Sequence, residues 1–332
     1  MINRQWTVAQ RPLGRALAES DFAWAEAPVR QPAAGEVMVR VDWLSFDPAQ
    51  KGWMENVADY VAPTEIGDLM PAFAVGEVVE SGSADFAPGD RVTGRLGWAD
   101  YVTVAAGELA KLPDDEFSSA HLGILGVTGM TAYFGLHRVG RPVAGDTVVV
   151  TGAAGATGSL VGQMAKLAGC RVIGVAGGEA KCQWLVDELG FDGAVDYRSE
   201  TFRRQVRALV PNGIDILWDN VGGEIFNSLL PRIADHARVV VCGAISIYSD
   251  TTLPPGPSNY MQLVFRRARM EGFIVLDYEA EFAWARERLV RQLREGKIIY
   301  REDVADGLEA APATLMRLFK GENRGKLVLK MR

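Results

Sequence analysis

The sequence predicts an α/β protein of two domains, a doubly wound parallel sheet joined to a β-rich module. Three observations carry this. The chain has 332 residues, too many for one ordinary compact domain and ample for two. Its first third reads as short strands broken by Gly and Pro turns. From Thr147 onward, strands alternate with apolar helical segments, the rhythm of a sheet built from crossover units.

In the N-terminal part, Glu36–Phe46 and Phe73–Val79 are strand candidates. Pro88-Gly89-Asp90 makes a turn into Arg91–Thr93, and Tyr101–Val104 follows Gly97-Trp98. Many short strands of this kind suggest a barrel-like module. In the middle, Thr147–Thr151 is a buried strand, and the turn Gly152–Ala156 leads into a helix, Thr157–Ala168. Strand Arg171–Ala176 and a helix over Ala180–Leu189 follow. Ala194–Asp196, Asp215–Trp218, Arg238–Cys242 and Gly272–Leu276 are expected to complete the parallel sheet. After Ile298 come a helix, Gly307–Phe319, and a last strand, Gly325–Lys330, expected to return to the first module. The domain division is therefore 1–124 with 298–332, and 125–297 between them. Neither an internal repeat nor a low-complexity tract interrupts the chain.

Composition narrows the function classes. Hydrophobic residues make up 48% and charged residues 23%, the mix of a globular protein with a substantial core. The formal net charge of −7 repels phosphate backbones, and the one basic cluster, Arg266, Arg267 and Arg269, is short, so no nucleic-acid partner is expected. No apolar run approaches the roughly 18 residues of a membrane span. The N-terminal stretch lacks the apolar segment of a signal peptide, so a cytoplasmic location is expected. Cys170, Cys182 and Cys242 are scattered, which supports neither a disulfide framework nor a cysteine zinc cluster.

The strongest motif is Thr151-Gly152-Ala153-Ala154-Gly155-Ala156-Thr157-Gly158, between a strand and a helix. Ala153, Gly155 and Gly158 fit GxGxxG with alanine first. Gly155 lets backbone approach a pyrophosphate, Gly158 lets helix and strand pack closely, and the helix N-terminus offers N–H groups to phosphate. A plain tight β–α turn would share the glycines but needs none of the surrounding strand–helix–strand pattern. A P-loop is excluded because no Lys follows Gly158. A short-chain dehydrogenase is excluded because none of the eight tyrosines has Lys four positions on.

Cofactor choice is a question of charge. NAD sites carry Asp or Glu at the end of the second strand, to hold the ribose 2′-hydroxyl. Here that place reads Ala176-Gly177-Gly178, with Lys181 three residues beyond. A lysine without a directly opposed carboxylate favours the 2′-phosphate of NADPH. An ordinary solvated lysine at a helix start is the competing reading.

Further motifs make the likeness specific. They are Leu44-Ser45-Phe46-Asp47-Pro48, Thr128-Gly129-Met130-Thr131-Ala132-Tyr133-Phe134-Gly135, Asp219-Asn220-Val221-Gly222-Gly223 and Cys242-Gly243-Ala244-Ile245-Ser246-Ile247-Tyr248. Pro254-Pro255-Gly256-Pro257, Arg269-Met270-Glu271-Gly272-Phe273 and Gly321-Glu322-Asn323-Arg324-Gly325-Lys326 continue the series. Through nearly its whole length the chain resembles the zinc-independent medium-chain dehydrogenases/reductases, in the branch of prostaglandin reductases, plant double-bond reductases and bacterial curcumin reductase. The resemblance implies a Rossmann-type domain, a β-rich GroES-like catalytic domain, NADPH as cofactor and a homodimer. It implies that Gly155, Ala156, Thr157 and Gly158 hold the pyrophosphate, and that Lys181 and Tyr197 flank the 2′-phosphate. It assigns Asn220, Cys242, Gly243, Ala244, Ile245, Ser246, Tyr248, Phe273, Ile274, Val275 and Asn323 to the nicotinamide half.

A zinc alcohol dehydrogenase of this architecture needs a Cys/His/Cys-type ligand set. The N-terminal module has no cysteine, and His121 is its one histidine, so no metal site is expected. Without a Lewis acid, hydride delivery to the β-carbon of an enone or enal is the better-suited chemistry. The charge develops on an enolate oxygen, which hydrogen-bond donors stabilise, and a proton must reach the α-carbon from a phenol, a ribose hydroxyl or water. Here the chain departs from its relatives. Many of them read Asp-Pro-Tyr-Met-Arg where this sequence has Asp47-Pro48-Ala49-Gln50-Lys51, and a tyrosine often stands at Phe265. Tyr248, Tyr60 and Tyr260 are the remaining candidate donors, each with packing as its alternative role. Trp53 and Met54 either shape an apolar pocket or fill the core. Two other functions fit the same features, quinone reduction with NADPH and a non-catalytic NADPH-binding sensor.

Overall fold

The structure, a computed structural model, describes residues 2–57, 60–250, 252 and 254–331. The chain forms two compact units. One comprises the described residues of Met1–Gly123, Glu302–Asn323 and Leu327–Arg332, and the other comprises Ile124–Arg301 with Arg324–Lys326.

The first unit opens with β1 (Ile2–Val8) and β2 (Phe22–Pro28), an antiparallel pair with Trp6 opposite Trp24. The sequence reading misses both strands, because Ile2–Val8 is mostly polar and the pair buries little. β3 (Glu36–Ser45) follows, then the short α1 (Ala49–Glu55), which ends at Asn56 in the left-handed region, φ 56°. Next come β4 (Phe73–Ser81), β5 (Arg91–Arg95), β6 (Tyr101–Ala105) and β7 (Leu109–Lys111).

The second unit begins with α2 (Val127–Phe134). It then alternates: β8 (Thr147–Thr151), α3 (Ala156–Leu167), β9 (Arg171–Ala176), α4 (Glu179–Asp187), β10 (Gly193–Asp196) and α5 (Phe202–Leu209). The second half is β11 (Ile214–Asp219), α6 (Gly223–Leu229), β12 (Ile233–Val241), α7 (Gln262–Phe265), β13 (Arg269–Gly272) and α8 (Phe282–Arg294). The chain closes with β14 (Glu302–Asp306), α9 (Ala311–Phe319) and β15 (Lys326–Lys330).

In the second unit the strand order is β10-β9-β8-β11-β12-β13, with every pair parallel. Counted from β8 this is 3-2-1-4-5-6, the doubly wound order whose switch point lies between β8 and β11. Strands buried on both faces read as unbroken apolar runs. Val148, Val149 and Val150 of β8 and Ile216, Leu217 and Trp218 of β11 have no exposed surface. Each such side chain contributes about 1.5–3 kcal/mol of burial.

One predicted element is corrected. The strand expected over Gly272–Leu276 ends at Gly272, and residues 275–281 form a 3-10 turn. The ladder stops where its neighbour does, since Val241, the last residue of β12, pairs with Gly272. Phe273 then turns to meet Trp218 edge-on at 6.0 Å.

The first unit holds a seven-stranded sheet in the order β14-β15-β3-β4-β5-β7, with β6 also on β3. The C-terminal strand returns here, Val328 pairing with Ser45. One face of this sheet and α9 enclose a core that includes Val39, Val41, Met54, Val78, Trp98, Leu315 and Leu329.

Candidate active site

The turn after β8 is closed by sterics as much as by hydrogen bonds. Gly152 turns the chain with φ 59°, and the Gly155 N–H donates to its carbonyl at 3.0 Å. A side chain at Gly158 would begin 2.4 Å from the Gly152 carbonyl oxygen and 2.8 Å from Ala153 Cα, so only glycine lets α3 start this close to β8. No acidic residue occupies the first turn of α3, and its N–H groups remain suited to phosphate. The loop is also braced from the C-terminal segment. The Gly325 N–H donates to the Ala154 carbonyl at 2.9 Å, and Gly155 and Gly325 form a parallel bridge. Gly325 sits at φ 74°, with room for no side chain, because a Cβ there would stand 2.2 Å from the Arg301 carbonyl oxygen.

At the end of β9, geometry replaces the missing carboxylate. The Tyr197 N–H donates to the Ala176 carbonyl at 3.1 Å. Its ring lies against Gly177, with Cε1 2.9 Å and the hydroxyl 3.1 Å from where a Cβ would be. An Asp or Glu at 177 would collide with that ring. Gly178 at φ 93° caps α4, whose first turn carries Lys181, half-buried. The guanidinium of Arg198 lies 5.6 Å over the Tyr197 ring. Sequence reasoning missed Arg198, although a cation directly after a strand-end tyrosine was its visible signal.

The switch point is organised by Asp219, which the sequence reading quotes within a motif but gives no role. Its buried carboxylate accepts from Thr151 Oγ1 at 2.6 Å, from the Gly222 N–H at 2.9 Å and from the Val221 N–H at 3.2 Å. Its carbonyl accepts from the N–H groups of Cys242 at 2.8 Å and Gly243 at 3.2 Å. The ends of β8, β11 and β12 are therefore tied through one residue. Burial pushes the Asp219 carboxyl above its ordinary range, and the three donors pull it back in part. Asn220 is held at every polar atom of its amide: Nδ2 donates to the Thr151 carbonyl at 2.6 Å, and Oδ1 accepts from Trp218 Nε1 at 3.0 Å.

The loop after β12 folds onto the loop after β11. Ser246 Oγ donates to the Val221 carbonyl at 2.6 Å, and the Ile245 N–H donates to the Asn220 carbonyl at 3.3 Å. Cys242 is half-buried, and desolvation with Asp219 nearby pushes its thiol up to about 12, so it stays protonated and inert. The Tyr248 hydroxyl accepts from the Ala244 N–H at 3.3 Å. Thus Asn220, Cys242, Gly243, Ala244, Ile245, Ser246 and Tyr248 form one connected surface at the C-terminal edge of the sheet. Phe273 packs on Trp218 beneath it, and Ile274 and Val275 follow at the start of the 3-10 turn.

The other predicted residues lie elsewhere. Tyr260 is on the turn before α7 and is 58% exposed; Tyr60 belongs to the first unit and is 44% exposed. Asn323 is buried in the first unit. Trp53 and Met54 are both buried, and Met54 belongs to the core of the first unit. Arg266 and Arg267 both pair with Asp235, and Arg269 lies 3.5 Å from Glu271, so this cluster is no bare basic patch. Among the described residues no three His, Cys, Asp or Glu side chains come together as a metal would require, and no helix is long and apolar enough to cross a membrane.

A doubly wound sheet with a glycine turn at its switch point, accompanied by a β-rich unit, defines a dinucleotide-dependent oxidoreductase of two domains. Comparison with known proteins makes the class specific. Residues 4–112 match the family described as N-terminal domain of oxidoreductase, and residues 156–291 match that described as zinc-binding dehydrogenase. The chain is 42% identical to the NADPH-dependent curcumin reductase of Escherichia coli, over 99% of this chain and 97% of that one. It is 40% identical to the 2-alkenal reductase (NADP(+)-dependent) of Nicotiana tabacum, covering 89% and 87%. The crystal structure of CurA from Vibrio vulnificus in complex with NADPH superposes with a TM-score of 0.94, at 40% identity and 99% coverage of both chains. The chain belongs to the medium-chain dehydrogenase/reductase family, in the branch of the curcumin, 2-alkenal and prostaglandin reductases, and is an oxidoreductase that works with NADPH.

Proposed function

We propose that this enzyme reduces the activated double bond of α,β-unsaturated ketones or aldehydes, with hydride added at the β-carbon. The observation that carries the reading is the knot around Asp219, which puts a phenol, Tyr248, on the same surface as Asn220 and the 242–246 loop. The names of the relatives, a curcumin reductase and a 2-alkenal reductase, support the same chemistry.

In this reading Gly155, Ala156, Thr157 and Gly158 hold the pyrophosphate, and Lys181 and Tyr197 hold the 2′-phosphate with Arg198 beside them. Asn220, Cys242 to Ser246, Tyr248, Phe273 to Val275 and Asn323 line the nicotinamide half. NADPH, when bound, supplies the hydride. The chain's own part is to orient the two reactants and to stabilise charge on the enolate oxygen. The Tyr248 hydroxyl is the donor for that oxygen, and accepting the Ala244 N–H makes it a stronger one. Tyr60 and Tyr260 are the alternatives. A homodimer and a cytoplasmic setting complete the reading; the exposed edge strand β13 and three free cysteines support them.

The test is NADPH oxidation across enones, enals and quinones, with wild type and Tyr248→Phe. Wild type should consume enones and enals in preference to quinones; a preference for quinones overturns the reading. Tyr248→Phe should lower enone turnover while NADPH affinity changes little. The loss is about 2.7–4 kcal/mol in activation free energy if this phenol is the principal donor. Undiminished turnover reassigns the donor for the enolate oxygen to Tyr60, Tyr260 or solvent; the proton that completes the α-carbon comes from a phenol, a ribose hydroxyl or water.

A further inference from the structure

Trp218, near the end of β11, has no exposed surface and takes no direct place on the cofactor surface. Its N–H is nevertheless aimed at that surface. Trp53, Trp98 and Trp184 are also buried, and their Nε1 atoms have no hydrogen-bond partner among the described residues. Packing alone therefore suffices for those indoles. Trp218 instead donates its Nε1–H to Asn220 Oδ1 at 3.0 Å.

Two features seat the ring. Phe273 meets it edge-on at 6.0 Å. Gly135, which follows α2 and ends the motif Thr128–Gly135, leaves both rings their room. A Cβ there would stand 2.4 Å from Trp218 Cη2 and 2.4 Å from Phe273 Cζ. Any side chain at 135 would displace one ring or the other.

The amide of Asn220 bridges the two strands of the switch point. Nδ2 donates to the Thr151 carbonyl at the end of β8, and Oδ1 accepts from the indole of β11. Exchanging its ends would set the NH2 group against the indole N–H and the oxygen against the Thr151 carbonyl, two repulsive contacts. The orientation is therefore fixed, and it leaves the amide one further N–H and one further lone pair. Asn220 is half-buried, and its Nδ2 lies 3.8 Å from where a Cβ of Gly152 would be, so the amide adjoins the glycine turn.

We propose that Trp218 is a positioning residue for the cofactor: its indole N–H locks the Asn220 amide in the orientation that receives the nicotinamide riboside half of NADPH. This rests on the assignment of Asn220 to that half. A carboxamide or a ribose hydroxyl, each donor and acceptor at once, matches the pair of sites left on the amide. A preset side chain costs less to order on binding than one that must first choose between orientations.

The experiment measures, by calorimetry, binding of NADPH and of 2′,5′-ADP, which shares the phosphorylated adenosine and lacks the nicotinamide riboside. The proteins are wild type, Trp218→Phe, Asn220→Ala and the double variant. Trp218→Phe should bind NADPH about five-fold more weakly or worse, the loss expected of one hydrogen bond, and 2′,5′-ADP as wild type does. In the Asn220→Ala background the same substitution should weaken NADPH hardly at all, since the indole then has no amide to hold. Benzothienylalanine incorporated at position 218 keeps the bicyclic ring and lacks the N–H. It should reproduce Trp218→Phe, and it serves where phenylalanine leaves too large a void. NADPH affinity unchanged in both 218 variants, an equal loss for the two ligands, or a loss undiminished in the Asn220→Ala background overturns the proposal. If Asn220→Ala weakens NADPH while the 218 variants do not, the positioning fails and the nicotinamide assignment of Asn220 stands. If Asn220→Ala leaves NADPH unchanged, that assignment fails and the proposal with it.

Discussion

Lys181 is the residue on which cofactor preference should turn, because the place where a carboxylate would stand is filled by the Tyr197 ring. Lys181→Ala should weaken NADPH by about 1.5–3 kcal/mol, roughly ten-fold or more, and leave NADH nearly unchanged. Parallel titrations with both cofactors measure this, and equal losses for the two would remove Lys181 from the 2′-phosphate. A second prediction concerns His137, whose half-buried imidazole is held down at about 4 by lost hydration and then by Arg288 and Arg138. The unfolded chain takes up that proton near pH 6.5 and the folded chain only near 4. Stability from this group is therefore complete above pH 6.5 and declines as pH falls toward 4, by on the order of 3 kcal/mol. Urea unfolding of wild type and His137→Gln should show the variant gaining relative to wild type across that window. A pH-independent difference sinks the idea. At this scale the tight turn at Gly152, Gly155 and Gly158 was legible, since close backbone approach fixes its glycines. Asp219 was not, because nothing in a sequence says that a strand-end aspartate will face one donor from a neighbouring strand and two from the loop that follows it.

Among the elements, those with a strong period were read well: β8 and β9 fall on the residues expected, as unbroken Val and Ile runs buried on both faces. Elements whose limits depend on a neighbour were not. β13 stops early because β12 has run out, and β1 with β2 hides in polar alternation. The brace from the C-terminal segment was equally invisible, since it is a backbone contact between distant residues. It gives the third prediction. Gly325→Ala places a Cβ at positive φ and against the Arg301 carbonyl, which should cost about 1–3 kcal/mol or more and loosen the turn at Ala154. Denaturant midpoint and NADPH affinity should both fall, and a variant with unchanged values for both shows that the turn holds its shape alone.

The whole molecule should be a dimer. The edge strand β13 and the segments around it expose Val264, Phe265, Met270, Ile274 and Leu276, an apolar set that a monomer would leave in water. Light scattering should give twice the chain mass at micromolar concentration, and a concentration-independent monomer refutes this. The brace at Gly325 bears also on biosynthesis. Once Arg301 has left the ribosome, every strand of the parallel sheet is available to pair, and the core can close during translation. The carbonyl of Ala154 must still wait for the N–H of Gly325, which emerges after the last strand of that sheet. The nascent chain can thus build its scaffold before the glycine turn after β8 receives its brace.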